Sequence, residues 1–575
     1  MSQPQAAPTA PVGNTKLAGF DALVIGAGAA GSTVAFVLTQ QGKKVLLLDA
    51  GPNWFLNLDN PAAQPVALYS NDELKLSYRN FVTPSPLVEP RTWRNTPSDG
   101  ARTYVGDVQG LPKTVGGGAV HADLKMPRFA PDDFHLGTLL GTVQGASFAD
   151  WPVDYDALEP FYAYMEKIVG VQGVAGANPF EGPRSTPFPM GPGVEMYCAS
   201  LVGKGLSALG YTMFPYPMAV TSQPYDGRPA CVDCGLCSGF GCPNNAKGSP
   251  PVTTLRKALL TGNCLLLPCT RAVKLLTNET GSEITGVDAI GPDGKHLTLT
   301  ASQYVLAATP IEDARLLLLS DPGGAGVGNS SGYVGRNLMF HLQTNMVAVF
   351  DERIHGHRGK TVSNGFADFR GKPNDPNHPL GGIVEISGSE GVINETDYIL
   401  QVVSVATGFD GLTFKKLLRQ SPFRDHLIAM AMQAEDAPQL TNVVDLDPEI
   451  VDLDGLPVPR ITYQNHSFEL SASAFYGPKM VEILGKAGAH WAAVAPLDTI
   501  PQSDHIMGTL RFGNDPTSSV CGPNGQFHDV GNLWAADASL FPTSSGFNPT
   551  MTLISLACRV AGCIVFGDSP ERVLS

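Results

Sequence analysis

Hydrophobic positions along this chain change period several times, and the sharpest change lies near the N-terminus. Ala22 to Ile25 is a short apolar run of the length of a buried parallel strand. It passes into the glycine-rich GAGAAG and then into an apolar, small-residue stretch of helical length. Val45 to Leu48 is the next short apolar run, closed by Asp49. The order strand, turn, helix, strand predicts a βαβ unit over Phe20 to Gly51. Pro52 to Pro112 has little helical periodicity and many turn residues, which predicts a long excursion over the surface. Asp150 to Gly173 opens on a turn and continues as an amphipathic helix with Leu158, Phe161, Tyr162 and Met165 on one face. A Pro/Gly-rich linker follows from Val171 to Gly193, then a helix from Met196 to Leu209. The alternating segments VKLLTN, ITGVDAIG, HLTLTA and YVLAA between Ala272 and Leu306 predict hairpins returning to a buried strand, and Ile311 to Leu319 a helix. Strand-like apolar runs such as Met346 to Phe350 and Ile399 to Val405 predict a second, sheet-based unit over about 337–494. Met551 to Phe566 carries Arg559 and falls short of the roughly 18 apolar residues a membrane span needs, so it reads as a buried terminal helix.

Length and composition narrow this picture only in part. A chain of 575 residues can bury a large core shared by two structural domains, which need not be contiguous. A net charge of −15 argues against a polyanionic partner, so nucleic acid is set aside. The opening MSQPQAAPTAPVGNTKLAG lacks an apolar core; it reads as a flexible tail, 1–19, and as neither signal peptide nor membrane helix. Four of the ten cysteines crowd between Cys231 and Cys242, a local chemical site rather than a disulfide framework.

Four stretches carry candidate chemistry. Gly26, Gly28 and Gly31 have the G-x-G-x-x-G spacing: a tight turn, a close backbone approach to pyrophosphate, and close packing of the helix. The helix N-terminus then faces the phosphate, and Asp49, roughly 20 residues on, can accept a ribose hydroxyl. This predicts a dinucleotide site without separating FAD from NAD. LPKTVGGGAVHADLKMPRF sets Gly116, Gly117 and Gly118 ahead of His121. Backbone there could lie against a flat ligand, although a glycine turn with an incidental histidine accounts for the same residues. Cys231, Cys234, Cys237 and Cys242 form Cys-x2-Cys-x2-Cys-x4-Cys-Pro, one residue longer than a ferredoxin run. An iron–sulfur cluster, a structural zinc and a loop of reduced or paired thiols compete for them. His505, in SDHIMGTLRFG, and Asn548, at the start of the last helix, carry no chemistry by spacing alone; a lone histidine is usually a satisfied core or surface residue.

Taken in order, GAGAAG, VGGGAVHADLKMPRF, DWPVDYDALEPFY, AATPIEDARLLLLS, VGRNLMFH, HIMGTLRFG and GNLWAADASLFPTSSGFNPT resemble the glucose–methanol–choline oxidoreductase family, flavoproteins that oxidise alcohols and sugars. The resemblance covers about Phe20 to Gly567. It implies an α/β fold, α+β overall: a Rossmann-like FAD-binding domain over 20–336, interrupted by a cysteine loop at 231–243, a mixed-sheet substrate domain over 337–494, and a return to the FAD domain over 495–575. It implies His505 as active-site base and Asn548 as its partner. Gly26, Gly28, Gly31, Asp49, Gly116, Gly117, His121, Asp537, Asn548, Pro549 and Thr550 are then expected at FAD, with His121 where some relatives attach it covalently; Ala122 departs from the aromatic residue that often follows. YDGRPACVDCGLCSGFGCPNNAKGSP looks like the catalytic subunits of bacterial glucose, gluconate, fructose and sorbitol dehydrogenases. That likeness implies a [3Fe–4S] cluster on Cys231, Cys237 and Cys242 with Cys234 extra or a fourth ligand, a sugar or polyol substrate, a small chaperone-like subunit, a cytochrome c acceptor and a periplasmic site reached through partners, with the cytoplasm as alternative. A flavin oxidase or dehydrogenase of a non-sugar alcohol with a structural cysteine loop, and a flavin-binding electron carrier without substrate chemistry, are the competing readings.

Overall fold

The computed structural model describes residues 17–66, 89–96, 98–99, 104–106, 112–235, 237–321, 323–356, 358–388, 411–420, 425–497, 501 and 503–575. Its strands, in chain order, are β1 (Leu17–Ile25), β2 (Val45–Leu48), β3 (Arg91–Arg94), β4 (Tyr104–Gly106), β5 (Met213–Pro215), β6 (Cys264–Leu267), β7 (Arg271–Thr277), β8 (Ile284–Ile290), β9 (His296–Leu306) and β10 (Arg336–Met339). They continue with β11 (Leu342–Val349), β12 (Val362–Phe366), β13 (Val384–Gly388), β14 (Leu427–Ala434), β15 (Val443–Val451), β16 (Pro457–Thr462), β17 (Trp491–Val494), β18 (Met507–Thr509) and β19 (Leu533–Ala535).

The first sheet has the order β6-β2-β1-β9-β8-β7, with β19 also paired to β9. Its centre is parallel and buried on both faces, which explains why Ala22 to Ile25 and Val45 to Leu48 are apolar without alternation. The antiparallel meander β7-β8-β9 is the hairpin segment expected between Ala272 and Leu306. Helix Ala29–Gln40 follows β1 through the glycine turn and packs against helices Thr254–Leu260 and Thr550–Phe566. That helix can leave the strand so tightly because Gly31 has no side chain: a Cβ there would lie 1.9 Å from the Gly26 carbonyl oxygen.

The second sheet runs β18-β10-β15-β16-β3-β4 and the third β17-β11-β14-β13-β12-β5. Helices Tyr197–Leu209 and Ser467–Lys486 cover one face of the third sheet, and Met346, Val384, Ile386, Met430 and Met432 point into that core. The two-residue period of a strand sends the intervening Gln343, Glu385 and Gln433 to the opposite face. Register sets them side by side, Gln343 opposite Gln433 and Glu385 opposite Ala431, two residues before Gln433.

Two expectations change. The stretch Pro52 to Pro112 is not wholly a surface excursion, because β3 is buried throughout and pairs in parallel with β16. Its polar sequence, Arg-Thr-Trp-Arg, hides this: Arg91 is paired with Glu312, Arg94 with Thr462 and Asp445, and Thr92 with Asp447, all remote in sequence. The sheets also draw on several parts of the chain, since β5 completes the third sheet and β3, β4 and β18 complete the second. The run Ile399 to Val405 and the tail up to residue 16 lie outside the described residues.

Candidate active site

The glycine turn after β1 meets the second glycine segment backbone to backbone. Gly116 N–H donates to the Ala27 carbonyl at 2.9 Å, and a Cβ on Gly117, whose φ is +57°, would come within 2.9 Å of Gly28 Cα. A side chain at Gly117 would block this approach, and Gly117 makes with Gly28 and Gly116 one shared surface of bare backbone. Helix Ala29–Gln40 starts there with no side-chain cap and no acidic residue in its first turn, which suits a phosphate. Asp49, at the end of β2, accepts N–H groups from Ala27 at 3.0 Å and Gly51 at 2.8 Å. Each carboxylate oxygen has a second lone pair, so Asp49 can brace the turn and still accept a ribose hydroxyl. Burial pushes its pKa up to about 6. These residues fit a dinucleotide. Pro549 and Thr550 begin helix Thr550–Phe566, which also has neither a side-chain cap nor an acid in its first turn. Asp537 is used within the protein: its carboxylate accepts N–H groups from Thr309 and Ser539, each at 2.9 Å, and adjoins Asp313, whose carboxyl burial holds well above the usual range.

His505 and Asn548 are brought into one network. His505, half-buried just before β18, has its Nδ1 2.9 Å from Nδ1 of His341, which sits between β10 and β11. His341 Nε2 lies 3.3 Å from the Ser544 carbonyl, and Gln433 adjoins the same ring. Gln433 in turn donates to Glu385 at 3.3 Å, and Asn548 Nδ2 donates to that same Glu385 oxygen at 2.9 Å. The Tyr216 hydroxyl donates to Asn548 Oδ1 at 2.5 Å. Lys125 pairs with Glu385 at 2.5 Å and with Asp123 at 3.1 Å. Burial, then repulsion from the charged forms of His341 and Lys125, lowers the His505 pKa well below the imidazole value; burial lowers that of His341 to about 4, so the lasting charge is that of Lys125. Burial alone would lower the Lys125 pKa, but its two carboxylates outweigh it and hold the ammonium charged. The site thus combines a neutral imidazole, an amide held at both ends and a compensated ion pair.

His341, Glu385, Lys125, Tyr216 and Gln433 were not singled out by their sequence context. Two of them had a signal: Lys125 stands in the VGGGAVHADLKMPRF stretch and His341 ends VGRNLMFH.

The cysteine loop packs beside the His121 segment. Lys247 donates from one ammonium to the carbonyls of Ala122, Cys237 and Phe240, and Gly239 N–H donates to His121 O. Burial, then the Lys247 charge, pulls the His121 pKa down to about 3. Cys237 is buried and its thiol is pushed up to about 12 by that burial, whereas Cys234 is exposed. Cys231 Sγ accepts from Asp233 N–H at 3.3 Å, and Cys242 Sγ donates to Asn244 Oδ1 at 3.0 Å. Among the described residues no three His, Cys, Asp or Glu side chains gather as a metal-ligand set. This arrangement gives no support to a cluster on Cys231, Cys234, Cys237 and Cys242. Nor, among the described residues, is any helix long and apolar enough to cross a membrane.

Known proteins resemble the chain in sequence and in fold. Residues 204–343 and 438–557 match the N- and C-terminal family models of the GMC oxidoreductases, and residues 24–88 match an NAD(P)-binding Rossmann-like domain. The chain is 28% identical to the fructose dehydrogenase large subunit of Gluconobacter japonicus, over 95% of this chain and 97% of that one. It is 29% identical to 2-methyl-1,2-propanediol dehydrogenase of Mycolicibacterium austroafricanum, over 95% of each. Among solved structures, formate oxidase shares the fold with a TM-score of 0.63 at 14% identity, covering 98% of this chain and 100% of that one.

Proposed function

We propose that this chain, which belongs to the GMC oxidoreductase family and so acts on CH–OH groups with FAD as cofactor, is a dehydrogenase of a sugar or polyol hydroxyl. The observation that carries this reading is the single hydrogen-bonded chain from His505 through His341, Gln433 and Glu385 to Asn548. FAD, held by the Gly26–Gly31 turn, Gly116, Gly117 and Asp49, supplies a two-electron acceptor when bound. His505 is neutral near pH 7 and takes the hydroxyl proton as the carbinol carbon becomes a carbonyl, a role worth roughly 10²–10⁴-fold. Asn548 spends its Oδ1 on Tyr216 and one N–H on Glu385, so its remaining N–H is the group available to a substrate oxygen. Lys125 keeps the buried Glu385 charge compensated and so keeps that amide orientation in place.

A polyhydroxylated substrate is supported by the polar face of the third sheet, where Gln343, Gln433 and Glu385 stand with Lys125, and by the fructose and diol in the relatives' names. The cysteine spacing and the likeness to a protein named as a large subunit support an external acceptor, such as a cytochrome c subunit, a small chaperone-like partner and a periplasmic site. A [3Fe–4S] cluster on Cys231, Cys237 and Cys242 would require the loop to rearrange on iron binding. The ungathered thiols favour, as a second reading, an oxidase or dehydrogenase of a non-sugar alcohol with a structural cysteine loop.

The test is anaerobic mixing of the FAD-loaded chain with fructose, gluconate, sorbitol and simple diols while the flavin band is followed, with iron analysis of the same sample. Bleaching by a sugar or polyol, reduced at least about 100-fold in His505→Ala and reversed faster by a dye than by oxygen, is expected. Bleaching by simple alcohols only, with oxygen as fast as dye and no iron, would move the reading to the oxidase.

A further inference from the structure

We infer that His341 is a positioning residue that fixes the tautomer of His505: the Ser544 carbonyl, His341 and His505 form a directed line of hydrogen bonds that leaves Nε2 of His505 without a proton. This deepens the reading of His505 as the base and rests on it.

The direction of the line starts from a group that can only accept. His341 Nε2 lies 3.3 Å from the Ser544 carbonyl oxygen, so that nitrogen carries the hydrogen. A neutral imidazole has one N–H, and burial keeps His341 neutral near pH 7. Its Nδ1 therefore presents a lone pair. His505 Nδ1, at 2.9 Å, must bring the hydrogen that joins them. With its one hydrogen committed at Nδ1, His505 has its lone pair at Nε2, the form a base needs. The reverse assignment would put a proton on His341 Nδ1 and set the Nε2 lone pair against the lone pairs of the Ser544 carbonyl. Gln433 does not decide between the two, because an amide can present either its oxygen or its N–H to the ring.

The carbonyl that sets the direction is itself fixed. Ser544 N–H and hydroxyl donate to Glu435 at 3.1 and 2.9 Å, Ser545 N–H donates to the same oxygen at 2.9 Å, and Ser544 Oγ accepts Asp436 N–H at 2.7 Å. Ser545 is held at φ +59°, a left-handed conformation that side-chain-bearing residues adopt uncommonly.

The experiment is ¹⁵N NMR of the FAD-loaded protein labelled only in histidine, with His505 assigned by its disappearance in His505→Gln. Wild-type His505 should show the Nδ1–H pattern across neutral pH, and His341→Leu should move it to Nε2–H or a mixture. In the same variant, reduction by substrate should slow roughly 100-fold, the scale of a displaced general base, with substrate affinity changed less than about threefold. His341→Gln, which restores an acceptor, should recover about tenfold of the loss. An Nε2–H pattern in the wild type overturns the inference, whatever His505→Gln does to activity; an active His505→Gln sinks the base reading instead. Should His341→Leu not fold, the wild-type spectrum decides alone.

Discussion

In the proposed reaction substrate meets Asn548, an amide that could, in isolation, present either end to it. Tyr216 and Glu385 remove that freedom, one donating to Asn548 Oδ1 and the other accepting from Nδ2. Tyr216→Phe deletes the donor while keeping the ring, so the amide can turn over; a lost hydrogen bond of about 1–1.5 kcal/mol corresponds to roughly a tenfold slower flavin reduction with little change in fold, measurable by stopped-flow absorbance. The pH dependence follows from the imidazoles. A base whose pKa lies below the usual 6.5 stays neutral through the neutral range, so the reductive rate should be flat there and fall only on an acid limb below 6.5. Glu435 runs the other way. Burial, with Asp133 adding to it, raises its pKa from 4.5 to about 8, so the folded state holds this proton more tightly than the unfolded chain. Its contribution to stability is complete below pH 4.5 and is lost as pH rises through about 8. Glu435→Gln mimics the protonated acid, and its unfolding midpoint should fall less than that of the wild type between those two pH values. A steeper fall in the variant would mean that Glu435 is ionised in the native state.

At the scale of elements, the nucleotide cradle depends on two glycine turns that the chain makes far apart and then sets in contact. Gly117→Ala would place a methyl within 2.9 Å of Gly28 Cα at a φ of +57°, costing about 1–2 kcal/mol from conformation alone. Because the clash lies on the bare backbone that would face FAD, weaker flavin retention on gel filtration should exceed the loss in thermal stability; normal retention would place FAD elsewhere. The first turn was legible, since strand, G-x-G-x-x-G and helix sit in one continuous segment. The second was readable as a glycine turn only, because its function lies in what it faces. The same limit governs the third sheet. Alternation in VEISG is visible in sequence, but that Glu385 meets Asn548 rather than solvent depends on register with β14 and on the placement of the last helix. β3 was missed for a related reason: Arg91 and Arg94 read as solvent-facing until Glu312, Thr462 and Asp445 are known to surround them. His505 and Asn548 became legible through an ordered series of family motifs, whereas the hydrogen bonds joining them are non-local and leave no local pattern.

At the scale of the whole molecule, the His505–Asn548 network joins segments of the second and third sheets, and its integrity depends on contacts that hold remote segments together. Asp133 is the clearest of these. It accepts from Arg370 at 2.5 Å, from the Ser545 hydroxyl at 2.8 Å and from Ala130 N–H at 2.7 Å, joining an early loop, the end of the third sheet and the turn that carries the Ser544 carbonyl. Both charges are buried, at side-chain exposures of 7% for Arg370 and 3% for Asp133. Arg370 Nε, moreover, has no hydrogen-bond partner among the described residues. Breaking such a pair from one side leaves a charge without compensation, so Arg370→Met should destabilise by roughly 3–5 kcal/mol. Removing both charges takes away the attraction and the desolvation cost together. Asp133→Asn with Arg370→Met should therefore be more stable than Arg370→Met alone, because asparagine still accepts from Ser545 without carrying a buried charge beside Glu435. Denaturant midpoints of the two single variants and the double variant measure this directly. A double variant as unstable as the sum of its parts would mean that the pair acts through packing, and that these segments are held by shape rather than by charge.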